Sequence, residues 1–185
     1  QIINSGGNIS IQGDSFVATT VQIKFGGLAP QNITPDSDQE INLVLPAELK
    51  AGINSVQVLH PIDVDPSAAQ DLRRGSDSNV VAFVLAPRIV SIPTEVTTDA
   101  SLALDVEPSV DGNQRVTLLI GDRAIDIPPR LLPDGEPETV SRLTFPISVD
   151  FPRGTYLIRI RIDGAESPLT VDENNLFNGP ELIVT

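Results

Sequence analysis

The chain has 185 residues, about twice a common small-domain length, and 40% of them are hydrophobic, which suits folded cores and excludes a disordered chain. With no Cys, disulfide frameworks, zinc ribbons and thiol redox motifs are excluded, and a reducing compartment is compatible. Twelve basic against 25 acidic side chains leave a net charge of −13, which makes phosphate backbones and anionic lipid surfaces poor partners.

Aromatic residues are only 4% of the chain, so Val, Ile and Leu must fill the cores, while 16 Pro and 13 Gly punctuate many short elements. No Met is present, so the sequence reads as a processed product or the ordered part of something longer. No apolar run reaches the ~20 residues needed to span a bilayer as a helix. The acidity is uneven: residues 1–88 hold 5 basic and 9 acidic side chains, residues 89–185 hold 7 and 16.

In chain order, Ile9–Ser10–Ile11 alternates and stops at Gly13–Asp14. Val21–Phe25 alternates apolar and polar residues and stops at Gly26–Gly27, as a half-buried antiparallel strand does. Glu40–Leu45 ends at Pro46, and Pro46–Gly52 reads as a single helical turn or loop. Ser55–Leu59 alternates again, a polar stretch follows, and Val80–Leu85 closes the first half before Pro87. The stretch Ala86–Pro93, proline-flanked, is a stiff joint. In the second half, strands are predicted at Ser101–Val106, Arg115–Ile120, Arg142–Phe145, Thr155–Ile162 and Leu182–Val184. Asp111–Gly112–Asn113 reads as a turn using positive φ. The expected architecture is all-β: two tandem immunoglobulin-like antiparallel β-sandwiches over 1–88 and 89–185. Expected core residues are Ile23, Phe25, Val58 and Phe83 in the first, and Leu118, Phe145, Tyr156, Ile158 and Ile160 in the second.

Candidates for chemistry are few. His60 is the only histidine, and no Gly-Xaa-Ser-Xaa-Gly elbow accompanies it, so it reads as a structural strand-end residue. Two acidic clusters, Asp105/Glu107/Asp111/Asn113 and Asp63/Asp65/Asp71/Asp77, supply the oxygen ligands calcium takes, without EF-hand spacing, and read as solvated turns. Asn8–Ile9–Ser10 and Asn32–Ile33–Thr34 match the glycosylation sequon, to which no function is assigned. Arg73–Arg74, Arg159 and Arg161 are isolated basic spots that read as local ion-pair partners. The expectation is therefore no catalytic residue, no metal and no cofactor. Two long polar segments, Ile62–Asn79 and Asp126–Ser141, are the expected contact loops.

The runs Ile9–Phe16 and Val21–Gly27 resemble the IPT/TIG branch of immunoglobulin-like domains. A narrower resemblance rests on Leu45–Gly52, Val56–Pro61 and Ser78–Pro87, with Leu143–Ile147, Gly154–Arg159 and Asp163–Leu169. Together these are similar to the C-terminal part of the tail-cap (terminator) proteins of phage-tail-like extracellular contractile injection systems. The resemblance implies a non-enzymatic structural module. Its partners would be tube, sheath and cap subunits, with self-association in the particle open. It would reside in the bacterial cytoplasm within an assembled particle, with release outside the cell open. No nucleic acid and no membrane insertion are expected. The alternative is a tandem immunoglobulin-like adhesion or carbohydrate-binding module of a secreted or cell-surface bacterial protein, against which the shortage of Trp and Tyr counts.

Overall fold

A computed structural model describes residues 2–16, 21–63, 72–131 and 138–185. Among these the chain is all-β, without a helix. It divides into two compact units, Gln1–Leu49 with Ile53–Val84, and Lys50–Gly52 with Leu85–Thr185.

The first half builds β1 (Ile2–Asn4), β2 (Asn8–Gln12), β3 (Val21–Phe25), β4 (Gln31–Ile33), β5 (Glu40–Val44), β6 (Gly52–Asp63), β7 (Leu72–Asp77) and β8 (Val81–Ala86). Their order is β1-β8-β6-β3-β4 in one sheet, with β7 beside β6, and β2-β5 in the other. The alternation in β3 does what its pattern requires: Val21, Ile23 and Phe25 are buried while Gln22 and Lys24 are not. Ile9 and Ile41 face them from the second sheet, and Phe25 meets Phe83 edge-to-face at 6.3 Å.

The second half builds β9 (Arg88–Ser91), β10 (Glu95–Val96), β11 (Ser101–Val110), β12 (Val116–Ile120), β13 (Arg123–Ile127), β14 (Val140–Pro146), β15 (Gly154–Ile162), β16 (Ala165–Glu166), β17 (Thr170–Val171), β18 (Phe177–Gly179) and β19 (Glu181–Val184). One sheet runs β10-β19-β15-β12-β13, the other β14-β11-β9. Their inner faces meet in a core that includes Leu102, Leu104, Leu118, Phe145, Ile158 and Ile160. This is the immunoglobulin arrangement, with strands A-B-E on one side and A′-G-F-C-C′ on the other, and the first half repeats the second of these orders. A corner device accompanies it: near the start of β15, Tyr156 OH donates to Pro152 O at 2.9 Å, and its ring stands edge-on to Phe151 at 5.6 Å. Tyr156 is therefore half-buried, whereas the other expected core residues are buried.

Four expectations need correction. Ile62–Asn79 is not a loop throughout. Ile62 and Asp63 continue β6, and Leu72–Asp77 pairs back on it, with Leu59 opposite Asp77 and an irregularity between His60 and Pro61. Proline cannot donate to a ladder, which accounts for the irregularity; the polar residues of β7 hid the strand. Asp126–Ser141 likewise begins inside β13 and ends inside β14. The remainders, 64–71 and 132–137, lie outside the described residues. The joint at Ala86–Pro93 contains β9, which is a strand of the second unit's sheet. Finally, Asp111–Gly112–Asn113 does turn, but without positive φ. Gly112 is there because the chain passes close over it: a Cβ would lie 1.8 Å from Arg130 O, and Arg130 N donates to Gly112 O at 3.0 Å.

Candidate functional site

Three of the second unit's exposed apolar residues lie on the hairpin between β15 and β19. Val171 is 51% exposed, Leu176 65% and Phe177 63%. The turn that carries them is tightly built. Asp172 Oδ1 accepts from Asn174 N at 2.8 Å and from Leu176 N at 2.9 Å. Asp172 N donates to Leu176 O at 2.9 Å, and Asn175 takes the left-handed conformation, at φ 60. Asn and Asp are the side chains that reward such a turn by bonding to nearby amides. The Leu176 amide, with the Asn174 amide behind it, holds the Asp172 carboxyl below its ordinary pKa. At the base Thr170 Oγ1 donates to Asn178 Oδ1 at 2.8 Å. The result is a short ordered hairpin presenting two large apolar side chains to water, at the F–G position that immunoglobulin variable domains use for contact. The Asp-Glu-Asn-Asn run between Val171 and Leu176 was the available sequence signal, and strand spacing alone passes over it.

In the first unit a cavity of about 280 Å³ is lined by residues of β2 and the turn after it, by β6, and by Asp77–Asn79. Phe16 and His60 stack there, ring centres 6.5 Å apart and 13° from parallel. Ser78 ties the floor: its Oγ accepts from Val58 N at 3.0 Å and its carbonyl from Gln57 Nε2 at 2.9 Å. His60 is thus a half-buried packing residue in the middle of β6 and not at a strand end.

The acidic candidates do not converge. Asp105 pairs with Arg142 at 3.8 Å, Glu107 with Arg88 at 2.6 Å, and Asp111 with Lys50. Asp111 Oδ1 also accepts from Asn113 N at 3.0 Å. Of the second cluster, Asp65 and Asp71 lie outside the described residues. Among the described residues, no group of three or more His, Cys, Asp or Glu side chains gathers as a metal site would. Arg159 and Arg161 both reach Glu166, at 2.7 and 3.2 Å, so these two are local ion-pair partners. Nothing is described of the Arg73 and Arg74 side chains. Among the described residues no helix is long and apolar enough to cross a membrane.

Fold and surface thus define an all-β chain of the immunoglobulin-like class whose second unit carries an apolar-tipped hairpin. A protein-family profile described as a domain of unknown function, DUF8756, matches residues 87–185, more than half of the chain, and the chain belongs to that family. No curated protein matches the sequence. Among solved structures it is similar to Bacteroides ovatus SGBP-B, of a mixed-linkage glucan utilization locus, in complex with a mixed-linkage heptasaccharide. That likeness has 14% identity and a TM-score of 0.37, over 100% of this chain and 43% of the other. The FN1–FN3 domains of chicken CNTN1 match at 9% identity and TM-score 0.31, over 98% of this chain and 63% of that one. Sidekick-1 immunoglobulin domains 1–4 match at 16% and 0.23, over 100% and 48%. The chain spans less than two thirds of each, and likenesses at these scores assign nothing to it.

Proposed function

We propose that the chain is a non-enzymatic interaction module that acts by presenting surface, with no turnover and no required cofactor. The observation that carries this reading is the hairpin tip, where Leu176 and Phe177 are held in water by a turn built to hold them. Pre-ordering a contact loop removes part of the entropy lost on binding, and buried aromatic anchors dominate interface energies. In the finer reading the module is the C-terminal immunoglobulin-like part of the cap protein of a contractile injection particle, and the hairpin meets a protein subunit of that particle. The support is the run of residues from Leu45 to Leu169 that resembles that family. A carbohydrate module is less well supported: the ring in the first unit's cleft, Phe16, is only 4% exposed and offers no face for a sugar to stack on.

The test is Phe177→Ala in the full-length protein, followed by particle purification. Because the ring is exposed, thermal stability should change by no more than about 0.5 kcal/mol. Occupancy in purified particles should fall at least tenfold. Unchanged occupancy sinks the hairpin assignment, and absence of the wild-type protein from such particles sinks the finer reading.

A further inference from the structure

The charges on and around the hairpin of β17 and β18 are of one sign. From Asp163 to Thr185 the chain has five acidic residues, Asp163, Glu166, Asp172, Glu173 and Glu181, and no basic one. Glu166 is answered by Arg159 and Arg161. Asp163 accepts from Arg115 N at 2.9 Å and from Gln114 Nε2 at 2.8 Å. Asp172 spends a carboxylate oxygen on the amides of the turn. Glu173, in the turn, and Glu181, two residues beyond β18, are exposed, and no basic side chain among the described residues pairs with either. Leu176 and Phe177 therefore stand in water beside carboxylates that no described cation neutralises. This combination selects among occupants. A second copy of the chain would bring a net −13 against −13, and an anionic lipid surface is repelled in the same way. A protein surface that is apolar at its centre and basic at its margin gains from both features, and Arg is enriched on such surfaces.

We infer that the hairpin's partner is a protein with an apolar socket ringed by Lys or Arg, which buries Leu176 and Phe177 and meets Glu173 and Glu181 at its rim. The inference rests on the reading of the hairpin as a contact, and it is independent of the particle. The two kinds of side chain divide the work. Rim charges draw the surfaces together and suppress acidic competitors, so their effect falls with added salt. The apolar pair sets how long the complex lasts, because truncating a buried anchor acts mainly on dissociation. The ordered turn keeps the pair in place before contact.

The probe is a synthetic amphipathic helical peptide of Leu and Lys, added to the ¹⁵N-labelled 185-residue chain. Two control peptides keep one property each: in one Glu replaces every Lys, in the other Ser replaces every Leu. With the Leu–Lys peptide, chemical-shift changes should centre on the amides from Val171 to Asn178. Raising NaCl from about 50 to about 500 mM should weaken that binding about tenfold. Glu173→Gln together with Glu181→Gln should weaken it about threefold and flatten the salt response at those amides. Phe177→Ala should weaken it about tenfold and leave the salt response in place. Equal binding of the Leu–Glu peptide overturns the basic rim while leaving the hairpin a contact. Equal binding of the Ser–Lys peptide, or shifts spread over the whole acidic surface, overturns the socket. Unmoved hairpin amides at millimolar Leu–Lys peptide overturn this inference and the contact reading together. Loss of the same amide signals on phosphatidylcholine vesicles would give the tip to a membrane and overturn the protein partner.

Discussion

The two units reach one strand order by different local means. Each carries an apolar residue and a proline, then a short turn, a glycine and a long strand. These are Leu45–Pro46 leading to Gly52 and β6, and Phe145–Pro146 leading to Gly154 and β15. Two residues past the glycine the second unit places Tyr156, whose hydroxyl binds the corner, while the first places Asn54. The second unit lays β9 along β11, and among the described residues of the first β2 pairs with β5 alone. Alternation along the strands therefore sets the topology, and the corners and seams distinguish the units.

The most damaging test of this view removes a core ring from each unit. Phe83 and Phe145 are 3% and 0% exposed, so either Phe→Ala change should cost about 3–5 kcal/mol. Tyr156 is the only Tyr and there is no Trp, so tyrosine fluorescence follows the second unit alone while circular dichroism follows both. In urea, Phe145→Ala should move the fluorescence transition. If Phe83→Ala leaves the dichroism curve unmoved, the first unit's sandwich is wrongly drawn.

Gly112→Ala should come next. The added Cβ must displace the backbone of Arg130, at about 1–3 kcal/mol, so the fluorescence transition and the second unit's share of the dichroism curve should both shift. An unshifted midpoint would mean that the crossing at Gly112 is not held in solution. Tyr156→Phe keeps the contact with Phe151 and loses one hydrogen bond, for about 0.5–1.5 kcal/mol by dichroism. A loss beyond about 3 kcal/mol would show that the corner does more than the comparison allows.

The smallest effect belongs to the hairpin. The folded pKa of Asp172 is depressed, so its contribution is present above the unfolded value and is lost as pH falls through the folded one, below the usual carboxylate range. On acidification, protection of the Leu176 amide against exchange should disappear before either unit unfolds. Asp172→Ala should abolish that protection at neutral pH with little change in melting. Protection that survives both would assign the turn's order to its backbone bonds.

Much of the fold was legible because alternation is a direct image of burial, as in Val21–Phe25 and in the run from Tyr156 to Ile162. What escaped were strands whose partners decide them. β7 is polar and exists by pairing with β6, and β9 reads as a joint between prolines until β11 is laid beside it. β13 (Arg123–Ile127) follows β12 after a two-residue turn, and its pairing was not read. Gly112 shows the limit in one residue, since the sequence suggested conformational freedom and the reason is a segment eighteen positions later. The apolar tip was present in the letters as Leu176–Phe177 beside an Asp-Asn turn. Whether such residues are buried depends on the sheet behind them, and no local pattern carries that.

Strands β10 and β19 run parallel, with Glu95 beside Ile183 and Val96 beside Val184. Around them Ile183 N donates to Thr94 O, Thr185 N to Val96 O and Thr98 N to Thr185 O. These strands lie near opposite ends of the second unit's sequence, so tension applied through the flanking chain pulls them past each other. Bonds lying across that pull are loaded together, in shear, and cannot be opened one at a time as in a peeled hairpin. Resistance to force is set by the unfolding rate and not by equilibrium stability. Pulled from its two ends, the β10–β19 pair is thus expected to hold longer than the hairpin of β17 and β18, whose bonds open in turn.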